Sequence, residues 1–270
     1  MVGDPVAHSL SPVIHTAALA ALGIDGSYEA RRVDEAGLAG VIAELRSGSL
    51  DGVNVTMPHK RAAASLVDFM SPEARRARSV NTIVATDGEL VGHSTDVTGL
   101  RRLWNDRHLP FDAPALLLGA GGAAAAAGLA TQGPVVYASA RRPGMVEAMA
   151  AEIGRELIPL PWGTAVAEAV VVNATPVGMK GEALPPFVVD LAAAVVDLAY
   201  AAESTPTVRR GRSRGIPTVD GIDVLVAQAT DSFRLWTGQV APPNVMEAAA
   251  RNLSSRPLQA PNDDPDGESL

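Results

Sequence analysis

No cysteine occurs anywhere in the 270 residues, which excludes disulfides and thiolate chemistry and makes a reducing, cytoplasmic setting the expected one. Positive charge is not in excess either. With 22 Lys and Arg against 30 Asp and Glu, the net charge of −8 argues against a nucleic-acid partner or an anionic membrane surface. Half of that excess comes from Asp263, Asp264, Asp266 and Glu268, so the rest of the chain is only mildly acidic. An apolar signal-peptide core is missing at the start, where Asp4, Pro5 and His8 interrupt it. The uncharged run at 113–130 approaches the length of a membrane span. It is mostly Ala and Gly, with Pro114 near its start and a Gly-Ala-Gly-Gly break inside, and it reads as a strand, a turn and a helix. No membrane partner and no metal are expected.

What is present is enough chain for two domains and an alternation of β and α segments, which implies an α/β fold with a largely parallel sheet. Ser11 is expected to cap a first helix with Pro12 at its first position, which leaves the Ser9 hydroxyl free for a ligand. A strand near 28–33 and a helix near 35–46 follow, the helix capped by Asp34 and stopped by Gly48. The organising stretch is 52–60, Gly-Val-Asn-Val-Thr-Met-Pro-His-Lys. As a strand, 52–56 turns Asn54 and Thr56 to one face, and Pro58 suits the first turn of a helix that carries Lys60. An amide, a hydroxyl and an ammonium group thus converge beyond a strand's carboxyl end, where open α/β sheets bind ligands. Residues 79–84 read as a strand with Asn81 at its edge, Asp87-Gly88 as a hairpin turn, and Asp96 as the cap of a helix over 97–108.

Residues 114–122 are an apolar strand entering a glycine turn, with an alanine helix behind it. Gly119, Gly121 and Ala124 match G-x-G-x-x-[G/A], in which glycines let the backbone approach a pyrophosphate at a helix N-terminus. An NAD site calls for an acid about 20 residues further on. Here the next strand, 134–138, ends in Ser139-Ala140-Arg141-Arg142, and no carboxylate comes before Glu147. A hydroxyl and two guanidinium groups suit a 2′-phosphate, so NADP (NADPH) is the expected cofactor. Strands at 170–172 and 194–198, a helix over 205–214 and an amphipathic helix over 222–237 with Gln228 continue the pattern. The basic cluster Arg209, Arg210, Arg212 and Arg214 reads as a solvated helix face.

Taken together, these segments resemble the shikimate dehydrogenase family: GDPVAHSLSP (3–12), DGVNVTMPHK (51–60), SVNTIV (79–84), STD ending at Asp96, LLLGAGGAA (116–124), VVNATPVGM (171–179), VVDLAY (195–200) and DGIDVLVAQATDSFRLWTG (220–238). They span nearly the whole chain. The resemblance implies that Lys60 and Asp96 are a catalytic pair. It implies that Ser9, Ser11, Asn54, Thr56, Asn81, Tyr200 and Gln228 hold the hydroxyls and carboxylate of shikimate. Gly119, Ala120, Gly121, Gly122, Ala123, Ser139, Arg141, Leu198 and Gly221 match positions around NADP, with Arg142 an alternative to Arg141 for the phosphate. The implied reaction is the reversible reduction of 3-dehydroshikimate with NADPH, by a monomer or homodimer.

Several positions depart from the family. Ser94 stands where Asn is usual, and Ser139-Ala140-Arg141 where Asn-Arg-Thr is common. Family members also have a strand before the Gly3-Asp4-Pro5 turn, expected in the sheet interior, where this chain offers only Met1 and Val2. A translation start further upstream is therefore expected. The rival readings are a quinate/shikimate dehydrogenase using NAD and a non-catalytic nucleotide-binding relative, although the latter would be expected to have lost Lys60 or Asp96. The expected architecture is a substrate-binding domain over 1–100, completed by a helix over 221–253, and a Rossmann-like NADP domain over 101–220. A cleft separates them, closing to exclude water, and a disordered tail covers 254–270.

Overall fold

The computed structural model describes residues 1–201 and 203–254; the tail beyond Ser254, expected to be disordered, lies outside the described residues. The first part of the chain runs β1 (Val2–Gly3), α1 (Ser11–Leu22), β2 (Arg31–Arg32), α2 (Glu35–Ser47), β3 (Gly52–Asn54), α3 (Lys60–Leu66), β4 (Phe69–Met70), α4 (Pro72–Ala77), β5 (Thr82–Thr86) and β6 (Glu89–His93). After α5 (Thr95–Asp106) come β7 (Ala115–Leu118), α6 (Gly122–Ala130), β8 (Val136–Ser139), α7 (Met145–Ile153), β9 (Ile158–Leu160), β10 (Val170–Asn173) and α8 (Pro186–Asp190). The last elements are β11 (Ala194–Asp197), α9 (Pro206–Ser213), β12 (Thr218–Val219), α10 (Gly221–Thr237) and α11 (Pro243–Ser254). Among the described residues no helix is long and apolar enough to cross a membrane.

The six strands from β7 to β12 form one all-parallel sheet in the order β12-β11-β10-β7-β8-β9. Chain order reverses between β7 and β10, so the crevice beyond their carboxyl ends is where such a sheet accepts a ligand. Its core strands read as unbroken apolar runs, Ala115–Leu118 and Val170–Val172, because helices cover both faces.

The other sheet is mixed rather than largely parallel. The hairpin β5–β6 folds back on Asp87-Gly88 and β3 pairs antiparallel with β5, giving β3-β5-β6-β4. Val2 extends this sheet by a parallel bridge to Val55, and β1 pairs in parallel with β2 on its other side. The two-residue β1 therefore holds the interior position expected of it, with Val2 O accepting from Thr56 N at 2.9 Å. β2 is shorter than the expected strand over 28–33, pairing only Arg31 with Val2 and Arg32 with Gly3. β3 likewise stops at Asn54.

Three helix starts differ from expectation. α1 begins at Ser11 itself, and the hydroxyl that accepts from its first turn is Ser9 Oγ, from Ser11 N at 3.2 Å. Pro58 lies in the turn before α3, after a cis Met57–Pro58 bond, so that Lys60 is the first helical residue. The helix expected over 221–253 is two helices, broken by left-handed Gly238 and by Pro242 ahead of α11. The four arginines of the basic cluster are all engaged: Arg209 with Ser204 O, Arg210 with Asp190, Arg212 with Asp220, and Arg214 with the carbonyls of Val189 and Ala192.

α10 is the element both sheets share. Ile222, Val226 and Phe233 pack with Ile14, Ala18 and Met246, while Val224 and Ala227 join the core built on Leu100 and Val172. At its far end Trp236 lies over Gly52 and donates to Ile83 O at 3.0 Å, and a Cβ on Gly52 would meet Trp236 Nε1 at 2.1 Å. Gly52→Ala is therefore expected to lower the unfolding free energy by about 1–3 kcal/mol through overpacking. Gly40→Ala, on an exposed turn of α2 with nothing within 4 Å of a new Cβ, is expected to raise it by about 0.5–1 kcal/mol. Urea unfolding of the two variants checks both the signs and the order.

Candidate active site

β3 delivers Asn54 and then the turn to Lys60; β6 delivers Ser94, after which α5 begins. The two ends meet in an ion pair, with Lys60 Nζ 2.6 Å from Asp96 Oδ2. The Lys60 side chain is 27% exposed and that of Asp96 10%. A pair so withdrawn from water stands only when its remaining valences are also satisfied. Asn81 does this, donating from Nδ2 to Asp96 Oδ1 at 2.9 Å while its Oδ1 accepts from Thr95 N at 2.7 Å. Asp96 is thus not the cap expected of it: it sits inside the first turn of α5, and its carboxylate looks across to Lys60 rather than back to the helix amides.

A cavity of about 190 Å³ opens beside the pair. Ser9, Ser11, Asn54, Thr56, Asn81, Tyr200 and Gln228 all border it together with Lys60 and Asp96, so every residue expected to hold substrate is brought to one place. They are not equally free. Asn54 is engaged within the protein, accepting from Tyr28 OH at 2.6 Å and donating toward Thr82 Oγ1 and Ser232 Oγ at 3.0 and 2.9 Å. Among the described residues the side chains of Thr56, Gln228 and Tyr200 make no hydrogen bond, which leaves an amide and two hydroxyls open to a ligand. Burial pushes the Tyr200 phenol above its ordinary value.

Five further residues of this site were not legible as such: His15, Tyr28, Thr82, Thr95 and Ser232. His15 and Ser232 each lie four residues beyond an expected site residue on the same helix, Ser11 and Gln228, and that spacing was the available signal. Tyr28 comes from a segment with no motif. His15 is 1% exposed, with its ring stacked on Tyr28 at 4.2 Å. Burial, with a smaller contribution from the amino group of Met1, lowers its pKa to about 3.

A second cavity, of about 150 Å³, lies on the other side of the ion pair. Lys60, Asp96, Tyr200 and Gln228 border it too, and its remaining wall includes Ala123, Leu198 and Gly221. Gly221 is needed there by close approach: a Cβ would stand 2.5 Å from Ala199 O and 2.8 Å from the Tyr200 Cβ.

The glycine turn forms the third surface. Gly119, Ala120 and Gly121 border a cleft of about 470 Å³ with Arg141, Arg142, Trp162 and Thr175. Gly119 has φ +112°, and a Cβ there would meet Ala174 O at 2.9 Å. A Cβ on Gly121 or Gly122 would enter open space, so at these positions the backbone alone faces the cleft. Among the described residues no side chain caps α6. Its first N–H groups and the bare backbone ahead of them make a cradle for a pyrophosphate. Arg141 and Arg142 are exposed and, among the described residues, make no hydrogen bond or ion pair. Ser139, expected beside the cofactor, is fully buried and donates to Pro161 O at 3.1 Å; it ties β8 to the end of β9 instead of facing the cleft.

The chain is similar to known proteins over most of its length. The model of the shikimate dehydrogenase substrate binding domain matches residues 1–83, and that of the shikimate 5'-dehydrogenase C-terminal domain matches residues 221–251. Shikimate dehydrogenase (NADP(+)) of Thermus thermophilus is 40% identical, over 93% of this chain and 96% of the relative. That of an Anaeromyxobacter species is also 40% identical, over 92% and 94%. The crystal structure of the T. thermophilus shikimate 5-dehydrogenase in complex with NADP(H) and shikimate has a TM-score of 0.84 at 40% identity, covering 93% of this chain and 97% of that one. A Listeria monocytogenes shikimate 5-dehydrogenase in complex with shikimate and NAD has a TM-score of 0.80 at 30% identity, covering 92% and 93%.

His15 provides a pH test of the site's interior. Its folded pKa, about 3, lies below the ordinary 6.5, so the fold favours the neutral ring. The resulting stability is whole above pH 6.5 and is lost as pH falls toward the folded value, at up to about 1.4 kcal/mol per unit. His15→Phe is expected to flatten the acid limb of stability by about one proton between roughly pH 6 and 4. Urea titrations of both proteins across that range measure the slope.

Proposed function

The chain belongs to the shikimate dehydrogenase family, and on that premise we infer that Lys60 and Asp96 are the catalytic pair of its reaction. The activity is the reversible, NADP-dependent reduction of 3-dehydroshikimate to shikimate, an oxidoreduction at a CH–OH group. The observation that carries the residue assignment is the 2.6 Å contact between Lys60 Nζ and Asp96 Oδ2, on the wall that the two cavities have in common.

When bound, NADPH supplies the hydride to the ketone carbon, and NADP⁺ accepts it in the reverse direction. Everything else falls to the protein. The ketone oxygen gains negative charge as the carbon is reduced, and the Lys60 ammonium is the fixed donor that stabilises this charge and gives up a proton from Nζ. Asp96 keeps Nζ aimed until then. Asn81, by occupying the second carboxylate oxygen, prevents Asp96 from turning away. Thr56, Gln228 and Tyr200 present uncommitted polar groups to the substrate, while Ser9, Ser11 and Asn54 complete the wall. Gly119 to Gly122 would receive the pyrophosphate, and Ala123, Leu198 and Gly221 bound the compartment next to the reacting pair.

Arg141 and Arg142 support NADP over the rival NAD reading, since two unpaired guanidinium groups stand at the end of β8 and no carboxylate is near them in sequence. The division of the chain that we propose is a substrate domain over 1–100, completed by 221–253, and a nucleotide domain over 101–220. In this reading the enzyme acts in the cytoplasm as a monomer or homodimer.

Shikimate-dependent reduction of NADP⁺, followed at the nicotinamide absorbance, tests the activity. Lys60→Ala is expected to cut kcat by about 10²–10⁴-fold. The shikimate Kd should change far less; equal losses in rate and binding would refute a transition-state role. Replacing both Arg141 and Arg142 by Ala is expected to raise KM for NADPH by about 10–100-fold, the loss of a charge-assisted contact to phosphate. KM for NADH should stay as it was, and a parallel rise with both nucleotides would count against the 2′-phosphate site.

A further inference from the structure

His15 is a buried polar side chain that the protein itself does not satisfy. It is 1% exposed, and its Nδ1 is enclosed without a hydrogen-bond partner. Among the described residues two hydroxyls share that condition, Ser94 and Thr207, and neither borders the cavity beside Lys60 and Asp96; His15 does. Among the described residues Nε2 has no hydrogen bond either, so it is the ring atom left to meet whatever enters the cavity.

The ring's packing alone does not account for an imidazole. It stacks nearly parallel on Tyr28 and lies 6.3 Å from Phe233 and 5.4 Å from Trp236, surroundings that a phenyl ring would fill without an unmade hydrogen bond. Among the described residues nothing partners Nε2, so the ligand is what can supply its acceptor, while Nδ1 stays enclosed. Shikimate carries a carboxylate that Asp96 repels, which drives it toward the wall furnished by α1. There Ser11 and His15 lie one turn apart, and the positive end of the helix dipole favours an anion.

We propose that His15 is a further substrate-contacting residue, whose Nε2–H donates to the carboxylate of bound shikimate beside the hydroxyls of Ser9 and Ser11. The identity of the ligand rests on the activity inferred above; the unmatched imidazole does not. A proton on Nε2 leaves Nδ1 as the bare, enclosed nitrogen.

The test is calorimetric binding of shikimate to the nucleotide-free enzyme, with steady-state kinetics, for wild type, His15→Phe and His15→Gln. His15→Phe is expected to raise Kd and KM for shikimate by about 10-fold or more, as for a lost hydrogen bond to a charged group. The value of kcat should stay within about 2-fold, since the contact is remote from the reacting carbon. His15→Gln, whose amide nitrogen can reach the place of Nε2, should recover most of the affinity. Shikimate methyl ester, which lacks the charge, should bind wild type and His15→Phe alike. Wild-type affinity in His15→Phe, an equal penalty on the ester, or no recovery in His15→Gln would each overturn the assignment. Should His15→Phe not fold, the imidazole ¹⁵N resonance of wild-type His15 decides: a shift unchanged at saturating shikimate overturns it. A wild-type protein that binds shikimate but does not reduce NADP⁺ would sink the inferred activity and leave the binding comparison to judge His15.

Discussion

An ammonium group held 2.6 Å from a carboxylate that water barely reaches is the contact to which the surrounding structure is fitted. Withdrawing two such charges from solvent costs several kcal/mol per ion. The pair persists because the groups around it have few alternatives. Asn81 is the knot: its side chain holds Asp96 and Thr95, its backbone N–H donates to His93 O, and its carbonyl accepts from Val55 N. One residue thus fixes the end of β3, the start of β5 and the first turn of α5 relative to each other.

Around that knot the two sheets contribute different things. The mixed sheet supplies the polar groups, arrayed at strand ends and backed by the network of Tyr28, Asn54, Thr82 and Ser232. The parallel sheet supplies fewer, Tyr200 beyond β11 and Arg141 and Arg142 beyond β8. Its glycine turn, its bare helix start and the reversal of strand order between β7 and β10 present backbone instead of side chains. A polyhydroxylated acid needs side-chain recognition in many directions, whereas a pyrophosphate needs N–H groups and room.

Much of this was legible in the sequence where a local rule has one outcome. Strand, glycines and helix in that order can hardly be read otherwise, and Asn54, Thr56 and Lys60 follow from alternation along a strand into a helix. Where two residues could each satisfy the same rule, sequence reasoning chose wrongly. Either Ser9 or Ser11 can serve the start of α1, and a carboxylate at Asp96 suits a cap as well as an ion pair; at Asp96 the choice was made by a partner distant in the chain, Lys60. Ser139 failed for the same reason, because the carbonyl of Pro161 that takes its hydroxyl belongs to a strand end with no sequence signature. Short strands such as β4 and β9, with two and three residues, carry too little periodicity to be seen at all.

α10 has a mechanical consequence. It is a 17-residue rod, about 25 Å long, whose first residue edges the cavity that Leu198 borders, while Ser232, further along, edges the one that Ser9 and Ser11 border, and Gln228 between them edges both. Tied down at Trp236 and packed against α1, α5 and α11 along its length, the rod is one continuous wall. The two chambers are therefore cut from one beam, so a substitution that displaces it alters both at once.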